Sequence, residues 1–245
     1  APLQDDAGAG PGQDLLAART GIFRRAFRSA IDDTLQPYSV FVPADYDPAK
    51  QYPLLVMLHG SGMTDRGFLE GTRMMIPDKF IAIAPSGRGI SHCYCPPESQ
   101  MDIQEAIENV THCYAIDTDR VVLGGFSMGG YGVYRTQYET PGRYCALVAM
   151  SGRVRLDPDW GIADAPDFLQ EEALQTLVGV PLFIFHGRQD RNVPVDNVLT
   201  LVEKLRAAGS PVEIHLEAGA GHAIPAEEII QAYHRWLKDV TCRPR

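Results

Sequence analysis

The segment that most constrains the fold is a short apolar run followed at once by a serine between glycines. Residues 120–124 read RVVLG, and residues 125–129 read GFSMG. The β-branched and apolar residues predict a buried strand, and G-x-S-x-G directly after a strand is typical of a sharp turn into a helix. Side chains at the flanking glycines would collide with the neighbouring strand or helix. The turn therefore leaves the hydroxyl of Ser127 exposed at its tip.

Strands and helices alternate along the rest of the chain. Apolar runs predict buried strands over residues 53–58, 80–84, 144–150, 181–187 and 212–216. Apolar residues at helical spacing predict helices over residues 102–115, 128–137, 195–208 and 226–237. This alternation indicates an α/β fold whose mostly parallel sheet is covered by helices on both faces.

Two further polar residues follow predicted strands later in the chain. Asp190 comes in the turn after residues 181–187, and His222 lies in a glycine-rich stretch after residues 212–216. Ligands bind at the carboxyl edge of parallel sheets, where Ser127, Asp190 and His222 would all lie. A serine hydroxyl needs a base to take its proton, and a carboxylate fixes the imidazole that does so. We therefore predict these three residues as a catalytic set, with Asp196 as a rival acid better suited to a helix start.

A glycine-rich loop after residues 53–58 predicts a place for a developing negative charge. The loop reads HGSG over residues 59–62, which lets backbone N–H groups point into the site. The N–H of Met128, just after the serine, is one expected donor. The second is the N–H of Ser61, with Gly62 as the alternative. His59 and His186 are expected to serve the structure of their loops.

The chain resembles the α/β-hydrolase serine esterases in its most distinctive stretches. It is most similar to compact bacterial carboxylesterases, feruloyl-type esterases and polyhydroxyalkanoate-depolymerase-like enzymes. The matching segments are residues 38–43, 58–62, 125–130, 186–190 and 221–222. The resemblance implies ester hydrolysis through an acyl-enzyme on Ser127, without cofactor or metal. It also favours an N-terminal antiparallel hairpin, residues 21–29 pairing with 38–42, over a first helix. The loop sequence HGSG departs from the HGGG of many lipases, which leaves the second donor open.

Length and charge limit the function classes. The chain has 245 residues and a formal net charge of −9. We expect one catalytic domain over residues 21–245 after a linker or tail over residues 1–20, which is rich in Gly, Ala and Pro. The negative charge, with no basic run, disfavours nucleic-acid binding. No apolar stretch approaches the length of a membrane span, so the expected partner is a small ester, and the oligomeric state stays open.

The cysteines and the first residue bear on where the protein works. The chain begins with Ala1 and carries five cysteines. A removed signal peptide or excision from a larger protein would each explain the missing Met. The cysteines are expected either as buried thiols or in one or two disulfides, with Cys93 or Cys95 pairing to Cys113. We expect a secreted or periplasmic protein.

Two loops are expected to border the substrate site. Residues 86–99 contain Tyr94, and residues 151–180 contain Trp160, and both aromatic side chains are predicted to contact substrate. The second loop is short for the lid of an interfacial lipase, so the sequence favours short-acyl esters. Feruloyl esters are the main alternative, because an aromatic ring could stack on either side chain. A peptidase of the prolyl-oligopeptidase type or a non-catalytic binding protein is a weaker alternative.

Overall fold

The computed structural model describes residues 19–162 and 164–241, with the backbone alone at Trp160. Its strands are β1 (Gly21–Arg28), β2 (Leu35–Val42), β3 (Tyr52–Leu58), β4 (Ile81–Pro85), β5 (Ile116–Phe126), β6 (Ala146–Met150), β7 (Leu182–Gly187) and β8 (Val212–Glu217). Its α-helices are α1 (Asp65–Gly71), α2 (Pro97–Cys113), α3 (Met128–Glu139), α4 (Glu171–Gln175), α5 (Asp196–Ala207) and α6 (Glu227–Thr241). Two short 3₁₀ helices cover Arg73–Met75 and Pro158–Trp160.

These strands form one sheet in the order β1-β2-β4-β3-β5-β6-β7-β8. The first two pairs, β1 with β2 and β2 with β4, are antiparallel, and every later pair is parallel. The predicted α/β-hydrolase fold and its N-terminal hairpin are therefore confirmed. Asp33 makes the hairpin turn with a φ of 59°, a left-handed conformation that aspartate tolerates better than most residues.

The central strand β3 shows how the sheet builds its core. Successive side chains on a strand point to opposite faces. Leu54, Val56 and Leu58 join a cluster with apolar residues of α2, α3 and α5. Leu55 and Met57 join a second cluster with apolar residues of α1 and α6. The nearly continuous apolar sequence of β3 follows from this burial on both faces.

One helix boundary differs from the prediction. The sequence predicted a helix from residue 102, whereas α2 begins five residues earlier, at Pro97. A proline at the first helical position has no N–H that would go unpaired there, so it suits a helix start. Asp102 consequently lies inside the helix, where it is buried and binds the guanidinium of Arg88 at 2.9 Å.

The expected pairing of Cys93 or Cys95 with Cys113 is wrong. Cys93 and Cys95 are buried free thiols. Both side chains pack among apolar side chains of the core, so they contribute to the stability of the fold through apolar contact. Cys242 and the first eighteen residues of the expected N-terminal tail lie outside the described residues. Among the helices that the structure describes, none is long and apolar enough to span a bilayer.

Candidate active site

Ser127 lies between β5 and α3 in a strained turn. Its φ is 56° and its ψ is −112°, a combination that non-glycine residues rarely adopt. The Ser127 N–H donates to the carbonyl of Met150 at 2.9 Å, which ties the turn to the end of β6. The strained turn presents the half-buried hydroxyl at the carboxyl edge of the sheet.

The glycines around Ser127 are required by close backbone contacts. A Cβ at Gly125 would lie 2.2 Å from the carbonyl oxygen of Gly129. A Cβ at Gly129 would lie 2.0 Å from the carbonyl oxygen of Leu58, and one at Gly130 would lie 2.5 Å from the Cα of Gly152. All three contacts are with backbone, which cannot move aside cheaply. The turn can therefore form only with these positions lacking side chains.

The side chains of Ser127, His222 and Asp190 form a hydrogen-bonded row. The Oγ of Ser127 lies 2.7 Å from Nε2 of His222, and Nδ1 of His222 lies 2.7 Å from Oδ2 of Asp190. A carboxylate accepts hydrogen bonds, so the proton of the neutral imidazole is on Nδ1 and Nε2 accepts from the hydroxyl. The structure thus brings together the three residues that the sequence placed after β5, β7 and β8.

Asp190 is held rigidly from behind. Its Oδ1 accepts from the N–H groups of Asn192 and Val193 at 2.9 and 2.8 Å. Its side chain is fully buried, and Nε2 of His186 lies 3.4 Å from Oδ2. The two backbone N–H groups fix the direction of the carboxylate. The rival Asp196 is instead exposed in the first turn of α5.

His186 is a buried part of this support. Its Nε2 donates to the carbonyl of Val193 at 2.8 Å, and burial lowers the pKa of the imidazole. The neutral ring therefore carries its proton on Nε2 and has a bare Nδ1. The expectation of a structural role agrees with this position, although the sequence alone did not indicate which turn His186 holds.

The structure distinguishes between the two candidates for the second N–H donor to a developing negative charge, which both lie in the loop after β3. The N–H of Gly62 donates to the carbonyl of Ile90 at 2.7 Å, so it is already paired. Ser61 lines the pocket beside Ser127 and Met128. Its hydroxyl bonds the hydroxyl of Ser91 at 2.7 Å, which joins this loop to the next one. The geometry favours Ser61 over Gly62.

Tyr94 lies elsewhere than the sequence suggested. Its side chain is fully buried, so it does not contact substrate in the pocket. Its Oη accepts the N–H of His59 at 3.0 Å, and its ring packs against Gly132 of α3. Tyr94 thus packs behind the loop that contains Ser61 and stabilises it. His59 stabilises the same loop, since its Nε2 is hydrogen-bonded to the carbonyl of Ser86. The side chain of Trp160 lies outside what the structure describes.

A pocket of about 560 Å³ opens beside Ser127. Its apolar wall consists of Met128, Tyr131, Leu156, Ile162 and Val193. Polar groups complete the lining: Ser61, Ser91, His92, Cys93 and Arg153. The sequence indicated the two loops that supply six of these residues, but it did not single out Arg153, Leu156 or Ile162, because periodicity says nothing about irregular segments.

Among the hydroxyl and thiol groups that line the pocket, Ser127 is the one bonded to an imidazole. Burial raises the pKa of the Cys93 thiol to about 12, so this thiol stays protonated and unreactive at neutral pH. Among the hydroxyl contacts that the structure describes, those of Ser61 and Ser91 are with each other. Within residues 19–162 and 164–241, no group of three or more His, Cys, Asp or Glu side chains is arranged to hold a metal ion.

A comparison with protein families assigns the chain to one of them. The family described as Phospholipase/Carboxylesterase matches residues 96–238, more than half of the sequence. The chain belongs to the phospholipase/carboxylesterase family. The matched region begins just before α2 and includes the turn of Ser127, the turn of Asp190 and the loop of His222.

Solved structures share the fold. A ferulic acid esterase superposes with a TM-score of 0.71 at 21% identity, covering 90% of this chain and 96% of that one. A thermostable esterase superposes with a TM-score of 0.67 at 24% identity, covering 89% of this chain and 62% of that one. At these identities the likeness establishes the fold.

Curated relatives include much longer proteins. Dipeptidyl-aminopeptidase B of Aspergillus niger is 23% identical over 259 residues, covering 91% of this chain and 28% of that protein. A probable dipeptidyl-aminopeptidase B of Talaromyces marneffei is 23% identical over 218 residues, covering 74% of this chain and 24% of that protein. The chain thus spans about a quarter of the length of these relatives.

Proposed function

We propose that this family member is a serine carboxylesterase that hydrolyses short-acyl esters through an acyl-enzyme on Ser127. The observation that carries the proposal is the row of two 2.7 Å contacts from Ser127 through His222 to Asp190. A nucleophile bonded to a base, which is itself oriented by a carboxylate, is the arrangement that acyl transfer requires.

In the first step, His222 takes the proton of Ser127 as its Oγ attacks the ester carbonyl carbon. The carbonyl oxygen becomes an oxyanion, which accepts from the N–H groups of Met128 and Ser61. One such donor typically lowers the barrier by about 3–4 kcal/mol. The imidazolium, stabilised by Asp190, then protonates the leaving alkoxide, and the acyl group stays on Ser127.

In the second step, water takes the place of the alcohol and removes the acyl group from Ser127. His222 takes a proton from a water molecule, whose oxygen attacks the acyl carbon. The tetrahedral intermediate uses the same two N–H groups, and its collapse returns the proton to Ser127 and releases the acid. Neither step calls on a cofactor.

The size and lining of the pocket support small acyl groups. A volume of about 560 Å³ lies within the range of small-molecule sites. The apolar wall suits a few methylene groups. Feruloyl esters remain the second candidate because Tyr131 presents an aromatic ring to the pocket.

The experiment is a panel of p-nitrophenyl esters from acetyl to palmitoyl, with methyl ferulate and a dipeptide p-nitroanilide, run on the protein and on Ser127→Ala. We expect a short-acyl optimum and the loss of nearly all turnover in the variant. A preference for ferulate would select the second candidate. Turnover of the anilide alone would indicate a peptidase, the activity named for the curated relatives. A secreted or periplasmic location is part of the proposal and is tested separately, by fractionation of the source cells.

A further inference from the structure

The backbone N–H of Ser61 is unpaired beside the nucleophile. Among the contacts of the described residues, this N–H has no hydrogen-bond acceptor, and Ser61 lines the pocket together with Ser127. The N–H of Met63 donates to the carbonyl of Gly60 at 3.2 Å, which closes a turn with Ser61 and Gly62 at its centre. A donor lowers the barrier only when it is already in position as the negative charge develops. What the N–H of Ser61 contributes therefore depends on how firmly this turn is held.

The turn is held by the neighbouring loop, residues 86–96, which connects β4 to α2. Ser61 and Gly62 are both exposed, so the core does not fix them. The N–H of Gly62 donates to the carbonyl of Ile90 at 2.7 Å. The hydroxyl of Ser61 is hydrogen-bonded to the hydroxyl of Ser91, also at 2.7 Å. The second of these bonds acts on Ser61 itself.

The loop of Ser91 is anchored at Arg88. The Arg88 side chain is 17% exposed, and its Nε donates to both carboxylate oxygens of Asp102 in α2 at 2.9 Å. Its Nη1 donates to Asp32 in the hairpin turn. These ion pairs fix the loop against a helix and a hairpin, three residues before Ser91. The hydroxyl of Ser91 is therefore carried by a backbone that is fixed well enough to orient its neighbour.

We propose that Ser91 is a positioning residue for ester hydrolysis: the bond between its hydroxyl and that of Ser61 holds the N–H of Ser61 where the ester carbonyl oxygen becomes negative. The proposal rests on the proposed esterase function and adds to it a residue that does not touch the reacting atoms. The bond joins two neutral, exposed groups, and the bond from Gly62 to Ile90 remains when it is lost. We therefore expect a loss of about fivefold, as for one neutral hydrogen bond, and not the roughly 100- to 1,000-fold loss typical of a removed donor.

The competing explanation is that Ser91 binds the substrate directly, because Ser91 also lines the pocket. In that case, Ser91→Ala would weaken the binding of any ligand that fills the pocket, and the replacement of Ser61 would have a separate effect. A positioning role instead affects the state in which the carbonyl oxygen is negative. It also requires that the two serines act as one unit, so that their replacements are not additive.

Two ketones with the acyl chain of the best ester substrate separate these roles. With the trifluoromethyl ketone, the Oγ of Ser127 adds to the ketone carbon, its proton passes to His222, and the ketone oxygen takes the negative charge. The inhibition constant of this compound reports how well the site stabilises an oxyanion. The corresponding methyl ketone is a far weaker electrophile that binds without forming this adduct, so its inhibition constant reports ordinary binding in the pocket.

Both inhibition constants, and kcat/KM for a p-nitrophenyl ester, are to be measured for the wild type, Ser91→Ala, Ser61→Ala and the double variant. Ser91→Thr is the conservative variant, since it keeps a hydroxyl at this position. Thr118→Ala is the control for the loss of an exposed hydroxyl, because Thr118 lies on β5 and does not line the pocket. Thermal unfolding of each variant checks that it is folded.

We expect Ser91→Ala and Ser61→Ala each to lower kcat/KM about fivefold and to raise the inhibition constant of the trifluoromethyl ketone by a similar factor. The inhibition constant of the methyl ketone should change less than about twofold. The double variant should lose no more than either single variant. Ser91→Thr and Thr118→Ala should stay within about twofold of the wild type.

Four results would each overturn the proposal: an unimpaired Ser91→Ala, a Ser91→Thr as impaired as Ser91→Ala, losses that multiply in the double variant, and equal changes for the two ketones. These results would leave the esterase function standing, provided that the wild type hydrolyses the ester and Ser127→Ala does not. A wild type that hydrolyses no ester and forms no adduct with the trifluoromethyl ketone would contradict both.

Discussion

At the scale of single residues, the site depends on supports that do not touch substrate. Asp190 is oriented by the N–H groups of Asn192 and Val193. His186 holds the carbonyl of Val193 at 2.8 Å and is fully buried beside the carboxylate. The precision of the row from Ser127 to Asp190 therefore depends on a histidine in the layer behind it.

We expect His186→Leu to lower kcat by about 10- to 100-fold with a smaller change in KM. The change removes the donor to Val193 and lets the turn of Asp190 move, and displacement of about 1 Å at a reacting group can cost two orders of magnitude. His186→Gln, which keeps an N–H near the position of Nε2, should lose less. Steady-state kinetics on a p-nitrophenyl ester measure both. Equal losses in the two variants would show that the donor is not what matters.

At the scale of elements, the strand–turn–helix unit of β5 and α3 is built on backbone contact. Gly129 packs against the carbonyl oxygens of Leu58 and His59, which lead into the loop of Ser61. The same contact that allows the turn also sets the distance between Ser127 and the anion site. Stability and activity are coupled at this position.

Gly129→Ala should destabilise the protein by about 1–3 kcal/mol and abolish most turnover, since its Cβ would overlap the backbone of Leu58. Gly71→Ala is the matched control. Gly71 ends α1, and a Cβ there would meet nothing within 4 Å. The free energy of unfolding in urea and the specific activity are to be measured for both. A Gly129→Ala variant as active and stable as Gly71→Ala would contradict the described turn.

Helix α1 is joined to the hairpin by an ion pair whose carboxylate is buried and whose guanidinium is exposed. Asp65, which is 1% exposed, accepts from Nε and Nη2 of Arg24 at 2.9 and 2.8 Å and from Ser39 at 2.8 Å. Removing one partner leaves a buried charge without its counter-ion, which is far costlier than losing a surface pair. The hairpin and α1 are expected to unfold together.

Arg24→Met should lower the free energy of unfolding by about 1.5–3 kcal/mol, because it removes two hydrogen bonds to the buried carboxylate of Asp65. Arg66→Met provides the comparison, because Arg66 pairs with Glu70 on the exposed surface of the same helix, and the loss of such a surface pair should change the free energy of unfolding far less. Urea denaturation of the two variants gives both values. Similar losses in the two would mean that burial of Asp65 adds nothing to the pair.

At the scale of the whole molecule, the sequence predicted the layers better than the loops. The apolar run of β3 and the glycines around Ser127 left few options, because burial on both faces and backbone contact each restrict residue type. Tyr94 was misplaced because its aromatic ring suits a core as well as a pocket. Leu156 and Ile162, which line the pocket, were not singled out, because nothing in their local sequence reveals that their loop borders the space beside Ser127.

Stability should fall as the pH drops from 7 to 5. Burial lowers the pKa of His92, His186 and His234. Below about pH 6.5 the unfolded chain therefore binds protons that the folded chain does not, and stability decreases with falling pH. Asp102, whose pKa burial raises to about 6, opposes this trend with a single proton. Three lowered histidines outweigh it.

Urea midpoints at pH 7, 6 and 5 measure the trend. His186→Gln should make the urea midpoint fall less steeply with decreasing pH, because it removes one of the three buried histidines. His112→Gln, a change at an exposed histidine, should leave the slope unchanged. A midpoint that is constant or rises toward pH 5 in the wild type would contradict the buried, neutral state of these rings.

The most direct test that Ser127 is the activated nucleophile is covalent labelling with a fluorophosphonate, followed by intact mass measurement and peptide mapping. The wild type should gain one adduct, on Ser127, with Ser127→Ala unlabelled and His222→Ala labelled much more slowly for want of the base. An adduct on Ser61, Ser91 or Cys93, or equal labelling of Ser127→Ala, would show that Ser127 is not the activated nucleophile.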